Sequence, residues 1–150
     1  MVSILSPVAG LRQEVSDVPD PVFAAGMVGP GAAIAPHHGK QTVVAPIAGR
    51  LAKLYPHAFV IVSDLGPGVL VHLGIDTVQM NGDGFTTLVS EQDLVHAGDD
   101  IITWDPEYVE ETGRSSMCAV VVLDCPYQAH ALSDNGCEVG SAEPLFAIDC

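Results

Sequence analysis

The chain has 150 residues, 48% of them hydrophobic, which is enough for one core and short of two, so a single domain over 1–150 is expected. Five Lys and Arg face 19 Asp and Glu, and the net charge of −14 argues against binding nucleic acid or anionic lipid, both of which call for clustered positive charge. A basic protein partner suits this surface better, because complementary charge speeds encounter.

The N-terminal stretch MVSILSPVAGL has no basic lead-in, and Ser6 and Pro7 cut its apolar run, so it does not read as a secretory signal. No apolar run approaches the roughly 20 residues that cross a bilayer. No membrane insertion and a cytoplasmic location are therefore expected. A short turn is predicted at Val22 to Met27. Gly29 and Gly31 in VGPGAA resemble a phosphate loop only superficially, since the Lys-Ser/Thr and the following helix are missing. His37 and His38 fall in a loop bounded by Pro36 and Gly39, and adjacent side chains of extended chain point apart, which disfavours a metal site. From end to end, short apolar runs alternate with Gly, Pro, Asp and Ser clusters. That is the pattern of an all-β antiparallel sandwich or barrel. One helix is predicted at Pro106 to Thr112, with Asp105 as N-cap, Pro106 at the first position, acidic residues early and Gly113 after the end.

Two internal similarities suggest duplicated hairpins. SPVAG at Ser6–Gly10 recurs as APIAG at Ala45–Gly49, an offset of 39, and VHAGDDIITWD from Val95 aligns with VGSAEPLFAID from Val139, an offset of 44. The four cysteines, Cys118, Cys125, Cys137 and Cys150, have neither C-x-x-C spacing nor a zinc-finger partner histidine. Cys118 and Cys125 bracket the strand-like AVVVL and read as small core residues; with no signal peptide, disulfides are not expected. His96, before a turn, and His130, after a tyrosine-bearing loop, have no distinctive setting.

The stretch that speaks to chemistry is His57–Thr77, HAFVIVSDLGPGVLVHLGIDT. AFVIV and VLVHLGI are β-branched runs around the turn residues SDLGPG, so the segment reads as an antiparallel hairpin. A turn centred between Asp64 and Leu65 sets His57 against His72 on one face, with Cβ atoms roughly 5 Å apart. A turn centred on Gly66 sends them to opposite faces, and Gly66-Pro67-Gly68 leaves both outcomes open. Two neutral imidazoles in apolar surroundings suit one task, in which one attacks as nucleophile while the other donates a hydrogen bond to the arriving group. A phosphoryl group fits, because an apolar, water-poor rim slows hydrolysis of an N–P bond.

PDPVF, GPGAAIAP, VVAPIAG, HAFVIVSD, VLVHLGIDTVQMNGDGF and VHAGDDII follow one another as in the glucose-type enzyme IIA family of the bacterial phosphoenolpyruvate:sugar phosphotransferase system, which the chain resembles from about Ser6 onward. The resemblance implies a β-sandwich phosphocarrier, a phosphotransferase component acting in sugar transport. It implies a donor, phospho-HPr, and an acceptor, a cysteine on the IIB domain of a sugar permease. It implies that His72 in HLGIDT carries the phosphoryl group and that His57 in HAF supports it, with no metal, nucleotide or other cofactor. Better-known members have a threonine two positions before the first motif histidine, after a longer lead-in. This chain has Tyr55 and Pro56 there. Asp20 and Asp76 fall within family-like motifs and are candidates for the rim, and Val22, Phe23, Val28, Phe59 and Val78 are candidates for an apolar docking surface.

Two other readings are weighed. A zinc hydrolase built on two close histidines needs a third ligand, often a second histidine two residues from the first, and Val71-His72-Leu73-Gly74 offers none. A regulatory module read by partners without transfer is compatible with the carrier role, because phosphorylation adds about −2 of charge to the docking face. The sugar is not written here, since its specificity belongs to the permease.

Overall fold

The computed structural model describes residues 2–124 and 129–149. Its strands are β1 (Val2–Leu5), β2 (Gly10–Gln13), β3 (Gly31–Pro36), β4 (Gln41–Val44), β5 (Gly49–Tyr55), β6 (Ala58–Val62) and β7 (Gly68–Leu73). They continue with β8 (Phe85–Thr87), β9 (Leu94–Val95), β10 (Asp100–Trp104), β11 (Cys118–Leu123), β12 (His130–Ala131), β13 (Glu138–Val139) and β14 (Pro144–Ile148). All pair antiparallel. The large sheet runs β13-β2-β3-β11-β7-β6-β5-β9, and two small ones run β1-β14-β12 and β4-β10-β8. Ile4 and Phe146 from one small sheet, Val43 and Ile102 from the other, and Phe59, Val71 and Val120 from the large one share a single core.

The duplication read from the sequence is present in the hydrogen bonds. Leu5 N donates to Pro46 O, and Val44 N to Pro7 O, so two segments 39 positions apart exchange the same bond across a local twofold. Each is then clasped by its own turn: Ser6 bonds to Ala142 and Glu143, as Ala45 bonds to Gly98 and Asp99, 44 positions earlier. The pairs β2–β13 and β5–β9 repeat the relation, with Glu138 opposite Leu11 and Leu94 opposite Arg50. Even the left-handed positions correspond, Gln92 with Gly136 and Gly98 with Ala142.

Alternation along β7 sends Val69, Val71 and Leu73 into the core and leaves Leu70 and His72 on the other face. The 3₁₀ turn Val15–Asp17 and helix α1 (Pro21–Ala24) cover part of that outer face, where Val18, Phe23, Ala33, Ile75, Ala119 and Val121 form a second cluster. β11 is thus apolar on both faces, which is why CAVVVL is a continuous rather than an alternating run. Gly29 and Gly31 serve the same packing: a Cβ at either would lie 1.9 Å from a β11 carbonyl oxygen, at Val122 and Val120. Their role is close approach of backbone to backbone.

Both short helices start on an aspartate–proline pair. Asp20 accepts from Val22 N at 2.9 Å, so the expected turn begins one residue early, at Pro21. Asp105 accepts from Glu107 N at 3.0 Å and opens α2 (Pro106–Glu111), which ends at Thr112 before Gly113 in a left-handed conformation. Cys118 is buried in the core, where burial pushes its thiol pKa up and leaves it inert; Cys137 is exposed, and both are free thiols. Cys125, Cys150 and the tyrosine loop before His130 lie outside the described residues.

Candidate functional site

The β6–β7 register follows neither predicted turn. Ala58 lies opposite His72, and Ser63 N bonds to Pro67 O, so the loop Asp64-Leu65-Gly66 is centred on Leu65. Strict strand parity would then put His57 on the core face beside Leu73. It does not, because His57 precedes β6, as the second loop residue of the tight β5–β6 turn, where Tyr55 pairs with Ala58. Outside the pleat its side chain is free to turn outward. The His57 and His72 rings meet edge to face, with centroids 5.3 Å apart.

His72 is held from three sides. Its Nδ1 lies 2.6 Å from Gly74 O, and since a carbonyl only accepts, Nδ1 carries the proton and neutral His72 presents the lone pair of Nε2 to solvent-side partners. Gly74 has φ +74°, and an added Cβ would sit 2.6 Å from Thr77 Cγ2 and 2.9 Å from Ser115 O. Thr77 Oγ1 donates to Leu73 O at 2.7 Å, and Ile75 N donates to Ser115 O, which fixes the turn after β7. Asp76, at φ 61°, is non-glycine in the left-handed region; the Arg114 Nε donates to its carbonyl at 3.2 Å, and Arg114 Nη2 donates to Gln79 Oε1 at 3.3 Å. On the other side the Phe23 ring stands 5.5 Å from the imidazole, tilted by 58°.

Burial lowers the pKa of His72 below that of a free histidine, offset in part by the Gly74 bond and by the negative charges of Asp20 and Asp76. His57 is lowered too, first by burial and then by repulsion from His72. Both rings are neutral at pH 7, as a nucleophile and a neutral donor require.

The predicted residues divide clearly. His57, His72 and Phe23 are in contact, and Asp20 and Asp76 act on His72 through their charge. Val22 and Val78 are 48% and 61% exposed, and Val28 is half-buried against the second cluster. Phe59 has to be taken off the docking surface. It is wholly buried in the main core, because AFVIV reads as apolar on both faces and only the register shows that Phe59 points inward with Ile61. The sequence reading missed Met27, 75% exposed just after α1, and the Gly74 carbonyl, whose only written signal is a glycine two residues after the histidine.

The other histidines pair locally with carboxylates: His37 with Glu138, His38 with Glu110, His96 with Asp99 and His130 with Asp149. Among the described residues no group of three His, Cys, Asp or Glu side chains could hold a metal ion. Nor is any described helix long and apolar enough to cross a membrane.

Residues 2–126 match the family described as phosphoenolpyruvate-dependent sugar phosphotransferase system, EIIA 1. The chain belongs to this family. The glucose-specific EIIA component of the phosphotransferase system of Staphylococcus aureus (strain MRSA252) is 40% identical over 125 residues, 82% of this chain and 74% of that protein. The counterpart from Halalkalibacterium halodurans is 43% identical over 123 residues, 81% of this chain and 70% of that one. Among solved structures, the glucose permease IIA from Mycoplasma capricolum superimposes with a TM-score of 0.87 at 30% identity, covering 97% of this chain and 94% of that chain. As an EIIA family member, the protein is a phosphocarrier of the sugar phosphotransferase system, a phosphotransferase component that works through a phosphohistidine.

Proposed function

We propose that His72 is the residue that carries the phosphoryl group and that His57 stabilises it. One observation supports this above the rest: two neutral imidazoles edge to face at 5.3 Å, one of them with Nδ1 committed to a backbone carbonyl. Nε2 of His72 attacks the phosphorus of phospho-HPr in line. A new N–P bond forms as the old one breaks, and the donor imidazole departs with the bonding electron pair. The phosphorylated ring keeps its Nδ1 proton, and the Gly74 carbonyl faces the positive charge this places on it. His57 donates its ring N–H to the incoming phosphoryl oxygens. In the second step a IIB cysteine thiolate attacks the same phosphorus, and His72 leaves as the neutral imidazole from which it started.

Val22, Val28 and Val78, joined by Met27, form the apolar rim on which HPr and the IIB domain dock in the cytoplasm, while Phe23, predicted for that rim, is buried beneath it against His72. Asp20 and Asp76 meet basic side chains of the donor there. The rim is apolar around an acidic margin, which favours partners with cationic groups around an apolar centre.

Incubation with phosphoenolpyruvate, enzyme I and HPr, followed by intact-mass and acid-lability analysis, tests the assignment. The wild type is expected to gain one acid-labile phosphoryl group. His72→Gln is expected to gain none, whereas His57→Gln accepts the group and passes it on poorly. Full acceptance by the His72 variant would overturn the assignment.

A further inference from the structure

His57 sits in a turn of unusual composition. Tyr55 and Ala58 close the β5–β6 hairpin, leaving Pro56 and His57 as its two loop residues. Two-residue hairpins normally take primed turns with positive φ at the first loop position, which proline cannot adopt. Neither Pro56 nor His57 has positive φ. The turn is instead fixed by the proline ring, which lies against the backbone at Gly82, where an added Cβ would come within 3.3 Å of Pro56 Cγ.

The His57 backbone is also pinned, since its carbonyl accepts from Leu73 N at 2.8 Å. Its ring is placed differently. Among the described residues no hydrogen bond reaches either ring nitrogen; the imidazole neighbours two rings, His72 at 5.3 Å and Tyr55 at 5.9 Å with an interplanar angle of 30°. Phe23 in turn neighbours His72, so the four rings are linked pairwise, with half-exposed Tyr55 at the His57 end.

We infer that Tyr55 is a positioning residue for onward phosphoryl transfer, its ring holding the His57 imidazole edge-on to His72 while Pro56 holds the turn beneath it. The inference rests on the proposed roles of His72 and His57. Without the Tyr55 ring, the His57 side chain keeps His72 as its ring neighbour and swings more freely toward solvent, so its N–H meets the phosphoryl oxygens in fewer encounters. The ring is what matters here, not the phenol hydroxyl. Aromatic contacts of this class correspond to a roughly 2- to 10-fold change in the population they favour.

The test compares Tyr55→Ala and Tyr55→Phe with the wild type in two measurements. The first is steady-state transfer from the phosphorylated protein to a IIB domain, resolved into kcat and KM. The second is the NMR titration of His57 in the unphosphorylated protein. Tyr55→Ala is expected to lower kcat roughly 2- to 10-fold with KM unchanged, and to move the His57 midpoint up toward that of a free histidine as burial is lost; Tyr55→Phe restores both. Wild-type kcat in the alanine variant overturns the inference. So does an equal loss in the phenylalanine variant, which would assign the work to the hydroxyl, or a loss confined to KM, which would make Tyr55 a partner contact. Should the wild type accept no phosphoryl group at all, the reading of His72 fails, and the His57 titration still decides whether Tyr55 places the ring: an unchanged midpoint in Tyr55→Ala refutes it.

Discussion

Replacing Gly74 by alanine places a methyl group where the structure has no room and asks the backbone for a conformation that alanine resists. At φ +74° a non-glycine residue costs about 1–2 kcal/mol. The new Cβ falls 2.6 Å from Thr77 Cγ2 and 2.9 Å from Ser115 O; the first neighbour belongs to a buried side chain and the second to backbone, so relief requires the turn to shift. Overpacking of this kind costs about 1–3 kcal/mol, and the reduced freedom of the unfolded chain returns about 0.4–1 kcal/mol. The net expectation is a loss of about 2–4 kcal/mol, read as a lower urea midpoint at unchanged slope. The same shift moves the carbonyl that fixes the His72 tautomer, a bond worth about 1 kcal/mol or a roughly fivefold preference. In the ¹⁵N spectrum His72 should therefore change from an Nδ1–H ring to a mixture, and phosphorylation should slow roughly twofold as the competent tautomer falls toward half. Wild-type stability, or an intact Nδ1–H signature in a destabilised protein, would refute the reasoning that one glycine serves both the turn and the nucleophile.

The lowered pKa values of His57 and His72 make stability depend on pH in a definite direction. Between their folded values and the free value of 6.5 the unfolded chain binds more protons, so stability is full above 6.5 and declines as the pH falls through this window. Chemical denaturation as a function of pH should show that slope, flattened in the His57→Gln, His72→Gln double variant; a slope unchanged in the double variant would mean other groups cause it. Phe59→Ala is expected to cost about 3–5 kcal/mol as a core deletion, whereas Val78→Ala should leave stability within about 0.5 kcal/mol and instead raise KM for HPr. Equal stability of the two variants would contradict their burial.

How much of this was legible in the residues varies with the kind of signal. Helix α2 was readable almost to its ends, because Asp105, Pro106 and Gly113 each act through local backbone chemistry that needs no tertiary context. The duplication was readable as well, since SPVAG and APIAG preserve the spacing that their shared hydrogen bonds demand. The meeting of His57 and His72 was legible from the motif but for the wrong geometric reason: strand parity would have parted them, and the Tyr55-Pro56 turn brings them together. Phe59 was unreadable because a run apolar on both faces carries no alternation to reveal which side faces in. Gly74 gave no hint of its carbonyl's role, since a backbone acceptor leaves no side-chain trace.

The twofold clasp also bears on how the chain reaches its folded state. Ser6 is held by Ala142 and Glu143, and among the described residues β1 pairs only with β14, so this clasp joins segments more than a hundred residues apart. The half built around Ala45, clasped by Gly98 and Asp99, closes over a much shorter loop and can form first. β7, which bears His72, pairs with β6 before it and with β11 after it. The reactive face can thus be assembled before β1 and β14 are joined, and their meeting acts as a late lock rather than a seed.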